Sequence, residues 1–418
     1  MSPHDGIFTW INQKRVRDYP RLMLIATWLI LAVNVMLKDG WVGGLGQIIG
    51  GDFVVLYSTG LLYLEDPDSI YNFDRQFQIQ QELISPTPLP GLNPYISPPY
   101  VAAAYSLLSV LPLPRAFIAW TVLMIILAAG SVGIFMHILP DEIKAKGLGY
   151  GQCLILVLSF FPFIESLQAG QNSGLTLFLM TCLVYFSMKE KQLLSGIFAG
   201  LMIYKPQYIL GFLILWVVWK NFRALAGFAL IVFVWAGTVF LLSGPQLFFS
   251  YLDLSKPLLL LPYMEGFPAY ILVTLYGLLT TLFPQSTQAY LSGISQAVLV
   301  ACILFLAFYA FKLRHKPTIE RIPIITFAML LPLFATPYTL LHDLVILIPG
   351  FVLWTRYNPR RELLLAAIII YFGTFFLTLI SALSHIALNA LLVTGLVVLI
   401  IQWLVRERHD RANPVVAM

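Results

Sequence analysis

The chain has 418 residues, of which 59% are hydrophobic and only 11% charged, and its mean hydropathy is +0.84. Soluble domains carry about 25% charged residues, so this composition describes a polytopic membrane protein and excludes an ordinary soluble enzyme. The net charge of +5 is no nucleic-acid signal, because the basic residues fall in short patches between apolar runs, where they report topology.

A span needs about 20 mostly apolar residues. In chain order the candidates are Leu22–Leu37, Pro98–Leu113, Ala116–Leu139, Tyr150–Leu167, Leu175–Met188, Leu193–Trp219, Phe222–Ser243, Tyr290–Phe311, Ile322–Ala335, Leu341–Trp354, Leu363–Ser381 and His385–Val405. Ala269–Phe283 reads as a half-helix or interfacial piece. The runs are continuous rather than alternating, which excludes a β-barrel. The residues before Arg21 are polar and basic, and the first apolar run lacks a small-residue cleavage site, so it reads as a retained span. Cys153, Cys182 and Cys302 all lie inside apolar runs without metal-ligand spacing and read as small core hydrophobes.

Lys14, Arg15, Arg17 and Arg21 predict a cytoplasmic N-terminus, residues 1–21. The loop at 38–97 carries Asp39, Asp52, Glu65, Asp66, Asp68, Asp74 and Glu82 against Arg75, and is predicted outside. Lys312 to Lys316, Arg356 with Arg360 and Arg361, and Arg406 with Arg408 mark inside patches, the last opening a cytoplasmic tail at 406–418. They leave Ala335–Asp343 outside, and 244–268 becomes a second long outer loop. In the middle, Lys144/Lys146, Lys189/Lys191 and Lys220/Arg223 cannot all be inside if every run spans. Either one patch is external or the chain is broken near Lys205-Pro206. Within the first loop, Phe53, Leu56, Tyr57, Gly60, Leu61 and Leu64 keep helical spacing, as do Ile70, Phe73, Phe77 and Ile84. Both stretches predict amphipathic helices on the membrane surface, before a proline-stiffened return through Pro86 to Pro99.

Polar residues that persist in such a chain are the informative ones. They gather at Asp52 with Tyr57 and Tyr71, at Asn93 to Pro99, at Glu165 to Asn172, at Lys205-Pro206-Gln207, and at Pro337 to Asp343. Three of these clusters face outside by the charge rule, which points to one site at the outer membrane boundary.

In order and position these elements resemble the GT-C superfamily of lipid-linked glycosyltransferases, and most resemble glycosyltransferase family 87. The matching elements are Asp52-Phe53 with Tyr57-Ser58, then Tyr71, Pro98-Pro99, Gly170-Gln171-Asn172, Gly196 and Gly200 ahead of Lys205-Pro206, and a late His342-Asp343. The chain departs from the family pattern at Ser97, where an aromatic often precedes Pro-Pro, and at Glu65 to Asp68, which replaces a usual glycine. The resemblance implies one all-α transmembrane domain, 1–418, of about twelve helices with a long first extracytoplasmic loop carrying interfacial helices. It implies a polyprenyl-phosphate sugar as donor, with mannose the family's commonest, a lipid or glycan acceptor, and inverting transfer outside the cytoplasmic membrane with Asp52 as base.

The chemistry suits these residues. An ionised carboxylate can take the acceptor proton, general-base help is worth about 10²–10⁴ in rate, and a phosphate leaving group needs no protonating acid. Asp52 also suits an N-cap. Lys205 suits the lipid phosphate, since a lysine at a helix centre costs about 2.5–3.5 kcal/mol unless paired; a snorkelling lysine or a cytoplasmic turn is the plainer reading. His342, oriented by Asp343, suits the phosphate or a sugar hydroxyl, and equally a helix cap. Gln171 and Asn172 suit sugar hydroxyls or a plain helix turn. Tyr57, Tyr71 and Tyr95 suit the site or the membrane interface. Asp253, Lys256, Tyr263 and Glu265 are loop candidates for substrate contact. No cofactor or metal is expected, because beyond His342 and Asp343 no ligand pair has suitable spacing. A transporter would carry ionisable residues at the bilayer midplane, where only Lys205 qualifies. A glycan ligase or polymerase would place its long loop late and make it basic. A lipid-handling scaffold would leave Asp52 with nothing beyond a cap. A cavity lined jointly by Asp52, Lys205 and His342 separates these classes.

Overall fold

The computed structural model describes residues 13–145, 147–254, 257–264, 266–357 and 361–412. Lys146, Lys256, Glu265, Arg360 and the far ends of both predicted cytoplasmic tails lie outside the described residues. Among those described, every regular element is helical, and extended chain pairs only at isolated bridges such as Leu272 with Leu340.

Helix α1 (Gln13–Met36) turns Leu22, Ile25 and Leu29 outward, a surface fit for lipid and costly in water. Helix α2 (Gly51–Glu65) corrects the expectation of a helix lying on the membrane. Phe53 to Gly60 are all buried inside the protein, so its apolar residues answer to neighbouring helices and not to lipid. Helix α3 (Phe73–Ile84), capped by the Asn72 side chain, is amphipathic, but two of the residues it buries are the polar Gln76 and Gln80. They reach across to the proline-rich return: Gln76 Oε1 accepts the Tyr95 N–H at 2.8 Å, and Gln80 Nε2 donates to the Asn93 carbonyl at 3.0 Å. The predicted span Pro98–Leu113 is also corrected. It is a helix of only eight residues, α4 (Pro99–Ser106), followed by turns, and its apolar character comes from packing on α2.

Helix α5 (Leu113–Ile138) is a full span, followed by the short α6 (Asp141–Ala145). Helices α7 (Tyr150–Leu158) and α8 (Phe161–Ala169) meet at a 59° bend, with Pro162 in the first turn of α8. Next come α9 (Ser173–Met188), α10 (Gln192–Leu201), a 3-10 turn at Pro206–Ile209, and α11 (Leu210–Val218). The apolar run Leu193–Trp219 is therefore broken at Lys205-Pro206. Helix α12 (Phe222–Ser243) runs along α10 at very close range: a Cβ at Gly196 would sit 1.9 Å from the Ala224 carbonyl oxygen. The small residues Gly196, Gly200 and Gly227 allow this backbone contact, the usual device where lipid gives helices no hydrophobic reason to associate.

The remainder is α13 (Gln246–Asp253), α14 (Leu275–Leu282), α15 (Gln288–Leu313), α16 (Thr318–Ala335), a 3-10 turn at Leu341–Leu347, α17 (Ile348–Tyr357), α18 (Arg361–Ser384) and α19 (Asn389–Ala412). Leu341–Trp354 is thus no span either. Every residue of its 3-10 half is buried within the protein. Among the described residues six helices, α1, α5, α12, α15, α16 and α18, are long and apolar enough to cross a membrane, or seven counting the bent α7–α8 pair. The chain is a multi-pass membrane protein, and the expected count of twelve spans is not reached by length and composition.

The α10–α12 contact predicts that Gly196→Val destabilises the purified protein by about 1–3 kcal/mol through overpacking, read as a shift in detergent unfolding. Gly237→Ala, at a position on α12 that faces open space, should leave the transition in place.

Candidate active site

A cavity of about 290 Å³ opens where the start of α2, the proline-rich return, the α8–α9 turn, the Lys205 break and the segment after α16 meet. Asp52 lines one side and Lys205 another.

Asp52 lies in the first turn of α2 but does not cap it. The cap position is Gly50, in the left-handed region at φ 69°, and no side chain caps the helix. The Gly50 N–H instead donates to the Gln168 carbonyl at 2.8 Å, tying the start of α2 to α8. The two Asp52 oxygens accept from two separate segments: Oδ1 from Asn93 Nδ2 at 2.7 Å, and Oδ2 from Gln171 Nε2 at 2.7 Å. A carboxylate has about four acceptor positions, so two amide bonds fix its plane and leave lone pairs for the cavity. Gly170 permits the approach. Its φ is +79°, and a Cβ there would lie 2.4 Å from the Phe53 Cβ.

Lys205 is the N-cap residue of the turn that breaks the apolar run. Its Nζ donates to Asp343 Oδ1 at 2.8 Å and lies 3.4 Å from His342 Nε2. Asp343 also takes the Tyr208 hydroxyl on Oδ1 and the Leu340 N–H, at 2.9 Å, on Oδ2. His342 Nδ1 lies 3.2 Å from Glu165 Oε2 on α8. A chain of ionisable groups thus runs from Glu165 to the cavity wall.

Gln171, Asn172 and Tyr95 also line the cavity. Asn172 Oδ1 is buried with no hydrogen-bond partner among the described residues. His342 and Asp343 do not line it; both are buried behind Lys205. Tyr57 donates to the Leu111 carbonyl at 2.7 Å and Tyr71 to the Ser97 carbonyl at 2.8 Å, and neither faces the cavity. Burial pushes the Tyr71 pKa far up, so its hydroxyl stays a donor. From the segment 244–268 it is Tyr251, on α13, that reaches the cavity, whereas Asp253 and Tyr263 do not line it. Tyr338 also lines it. Burial, then the nearby Asp52 and Asp343 carboxylates, raise its pKa and keep its hydroxyl protonated. Sequence reasoning placed Asn93, Glu165 and Tyr338 in polar clusters without giving them partners, and passed over Tyr204, Tyr208 and Tyr251. A hint for Tyr208 existed, since it stands one helical turn beyond Lys205. Among the described residues no three His, Cys, Asp or Glu side chains converge as a metal-binding group.

The Lys205–Asp343 contact is nearly dry, with side chains 15% and 4% exposed. Removing one partner of such a pair strands the other charge. Lys205→Met should therefore cost about 3–5 kcal/mol of stability in denaturant titration, and the double variant Lys205→Met/Asp343→Asn should recover much of that loss.

No curated protein matches the chain. The model of glycosyltransferase family 87 matches residues 95–337, more than half of the chain, a stretch that holds Tyr95, Gln171, Asn172 and Lys205 but begins after Asp52 and ends before His342. With its helical membrane fold and its polar cavity, the chain belongs to glycosyltransferase family 87, a GT-C type family of membrane glycosyltransferases.

Proposed function

We propose that this membrane glycosyltransferase moves a hexose, with mannose the first candidate, from a polyprenyl-phosphate donor to a hydroxyl of a lipid or glycan acceptor. Transfer takes place on the extracytoplasmic side of the cell membrane and inverts the anomeric centre. The observation that carries this reading is the cavity bracketed by one carboxylate, Asp52, and one ammonium, Lys205. In the proposed reaction the acceptor oxygen attacks the anomeric carbon and its proton passes to Asp52. The bond from that carbon to the phosphate oxygen breaks, and the oxygen keeps the electron pair. The new charge on phosphate grows beside Lys205, which has N–H groups beyond the one it gives Asp343.

Asp52 is the one carboxylate among the lining residues, and a double-displacement route would need a second, about 5 Å away, as nucleophile. This supports single displacement. Gln171 and Asn172 line the cavity and are suited to sugar hydroxyls. His342 and Asp343 serve the donor through Lys205, Tyr95 contributes a wall, and Tyr57 and Tyr71 hold the scaffold. The outward-facing site follows from the acidic first loop against the basic stretch Lys14 to Arg21. The activated phosphate supplies the driving group, so no cofactor or metal is required in this scheme.

Transfer from radiolabelled polyprenyl-phosphate-mannose to membrane acceptors tests the reading. Asp52→Asn should lower kcat by about 10²–10⁴ with little change in donor KM. Incorporation equal to wild type would remove the base from the mechanism. Asn93→Ala and Gln171→Ala should each lower kcat by about 10- to 100-fold while the protein stays folded, since each deletes one bond to the carboxylate.

A further inference from the structure

Both ring nitrogens of His342 face carboxylate oxygens: Nδ1 is 3.2 Å from Glu165 Oε2, and Nε2 is 3.3 Å from Asp343 Oδ1. An ionised carboxylate only accepts, and neutral imidazole has a single N–H. With that N–H on Nδ1 toward Glu165, Nε2 either accepts from Lys205 as the neutral ring or carries a second proton beside Asp343 as the imidazolium; two carboxylates against one ammonium around the ring favour the imidazolium. The cost is Lys205 Nζ at 3.4 Å from Nε2, a like charge, which Asp343 offsets by touching both cations. The charged groups acting on the ring are Asp343 from its own turn, Lys205 from the break before α11, and Glu165 from α8. Helices α9, α16 and α17 also pack on that turn, and no charged residue of theirs acts on the ring among the described residues.

The protonation of His342 decides what the cavity offers an anion. Lys205 and Asp343 alone form a neutral pair. An imidazolium behind them makes the cavity-facing group net positive, and the compensating charge, Glu165, stands on the far side of the ring from Lys205. Glu165 is 22% exposed in its side chain and does not line the cavity.

We propose that Glu165 is a positioning residue for donor binding: through Nδ1 it holds His342 as the imidazolium, and so keeps Lys205 available to the phosphodiester of the donor. This rests on the donor reading above. Because the imidazolium persists only below its pKa, the preference for an anionic headgroup is present at low pH and lost as pH rises. Removing the Glu165 charge lowers that pKa and brings the loss to lower pH.

The test is equilibrium binding to the full-length protein in lipid nanodiscs, without acceptor, from about pH 5 to 9. The probes are polyprenyl-phosphate-mannose, a diester of constant charge in that range, and the uncharged polyprenol. Wild type should favour the diester by about tenfold at low pH, and the preference should fade as pH rises. In Glu165→Gln the midpoint of that loss should move down by about one pH unit; in Glu165→Asp, whose carboxylate is drawn back from Nδ1, it should move the same way by less. If Glu165→Gln does not fold, Glu165→Asp alone gives the direction. An unmoved midpoint in a folded variant, even with lowered thermal stability, overturns the proposal and reduces Glu165 to a structural contact. A wild-type protein that never prefers the diester overturns the donor reading as well. A shifted binding midpoint alongside Asp52→Asn at wild-type activity would sink the base and spare Glu165.

Discussion

The rest of the site depends on one contact, the Lys205 ammonium on the Asp343 carboxylate at 2.8 Å inside a chain otherwise built for lipid. A lone lysine at the centre of a span costs about 2.5–3.5 kcal/mol, and burial of an unpaired charge costs more. The protein avoids both by breaking the helix. Met202 to Lys205 leave α10, Pro206 cannot donate a backbone bond, and the 3-10 turn carries Tyr208 round to the same carboxylate. The break on the other side is the reciprocal one. After α16 the chain leaves the helix through bends at Thr336 and Pro337, and a second 3-10 turn buries His342 and Asp343. Two interrupted apolar runs thus meet at their interruptions, and irregular backbone in a membrane protein is tolerable where it lines a cavity and is otherwise covered by protein.

The opposite wall is built by a different means. Asp52 needs no ion pair, since two neutral amides from Asn93 and Gln171 hold it. Each amide is itself fixed. Gln80 holds the Asn93 backbone from α3, and the αL glycine at 170 sets Gln171 against α2. Neutral donors fix the plane of a carboxylate without neutralising it. A lysine in either place would have spent the negative charge that the proposed base must keep. The contrast between an amide-held carboxylate and a carboxylate-held ammonium puts opposite charges on two walls of the cavity, the arrangement on which the proposed transfer rests.

Much of this was legible in the sequence, and the reasons for the rest are physical. Asp52, Lys205 and His342-Asp343 stood out because ionisable residues in an apolar chain are costly. The break at Lys205-Pro206 was already one of two ways to settle the charge pattern. What failed was the equation of apolar with lipid-facing. Val101, Ala102 and Tyr105 in α4, and Phe53 to Leu56 in α2, are as hydrophobic as a span but are covered by other helices, so hydropathy counts them as membrane. The partners of the site were illegible for another reason. Asn93 lies 41 residues from Asp52, Gln171 119 residues, and Glu165 177 residues from His342. Such pairings are set by how helices stack, and a single sequence shows only that polar residues gather.

Asn172 carries the argument one step further. It occupies the N-cap position of α9, where an asparagine side chain ordinarily accepts a backbone N–H, yet it makes no such bond, and its buried Oδ1 has no partner among the described residues. A buried polar atom without a partner costs about 1–3 kcal/mol, and a cap forgone costs about 1 kcal/mol more. Glycine or alanine would spare the first expense entirely. Other buried polar atoms also lack a partner among the described residues, Ser166 Oγ, Thr181 Oγ1 and Asn389 Oδ1 with them. What sets Asn172 apart is its place on the cavity wall next to Gln171, the residue that holds Asp52. In the proposed reaction its amide is suited to a hydroxyl-bearing ligand.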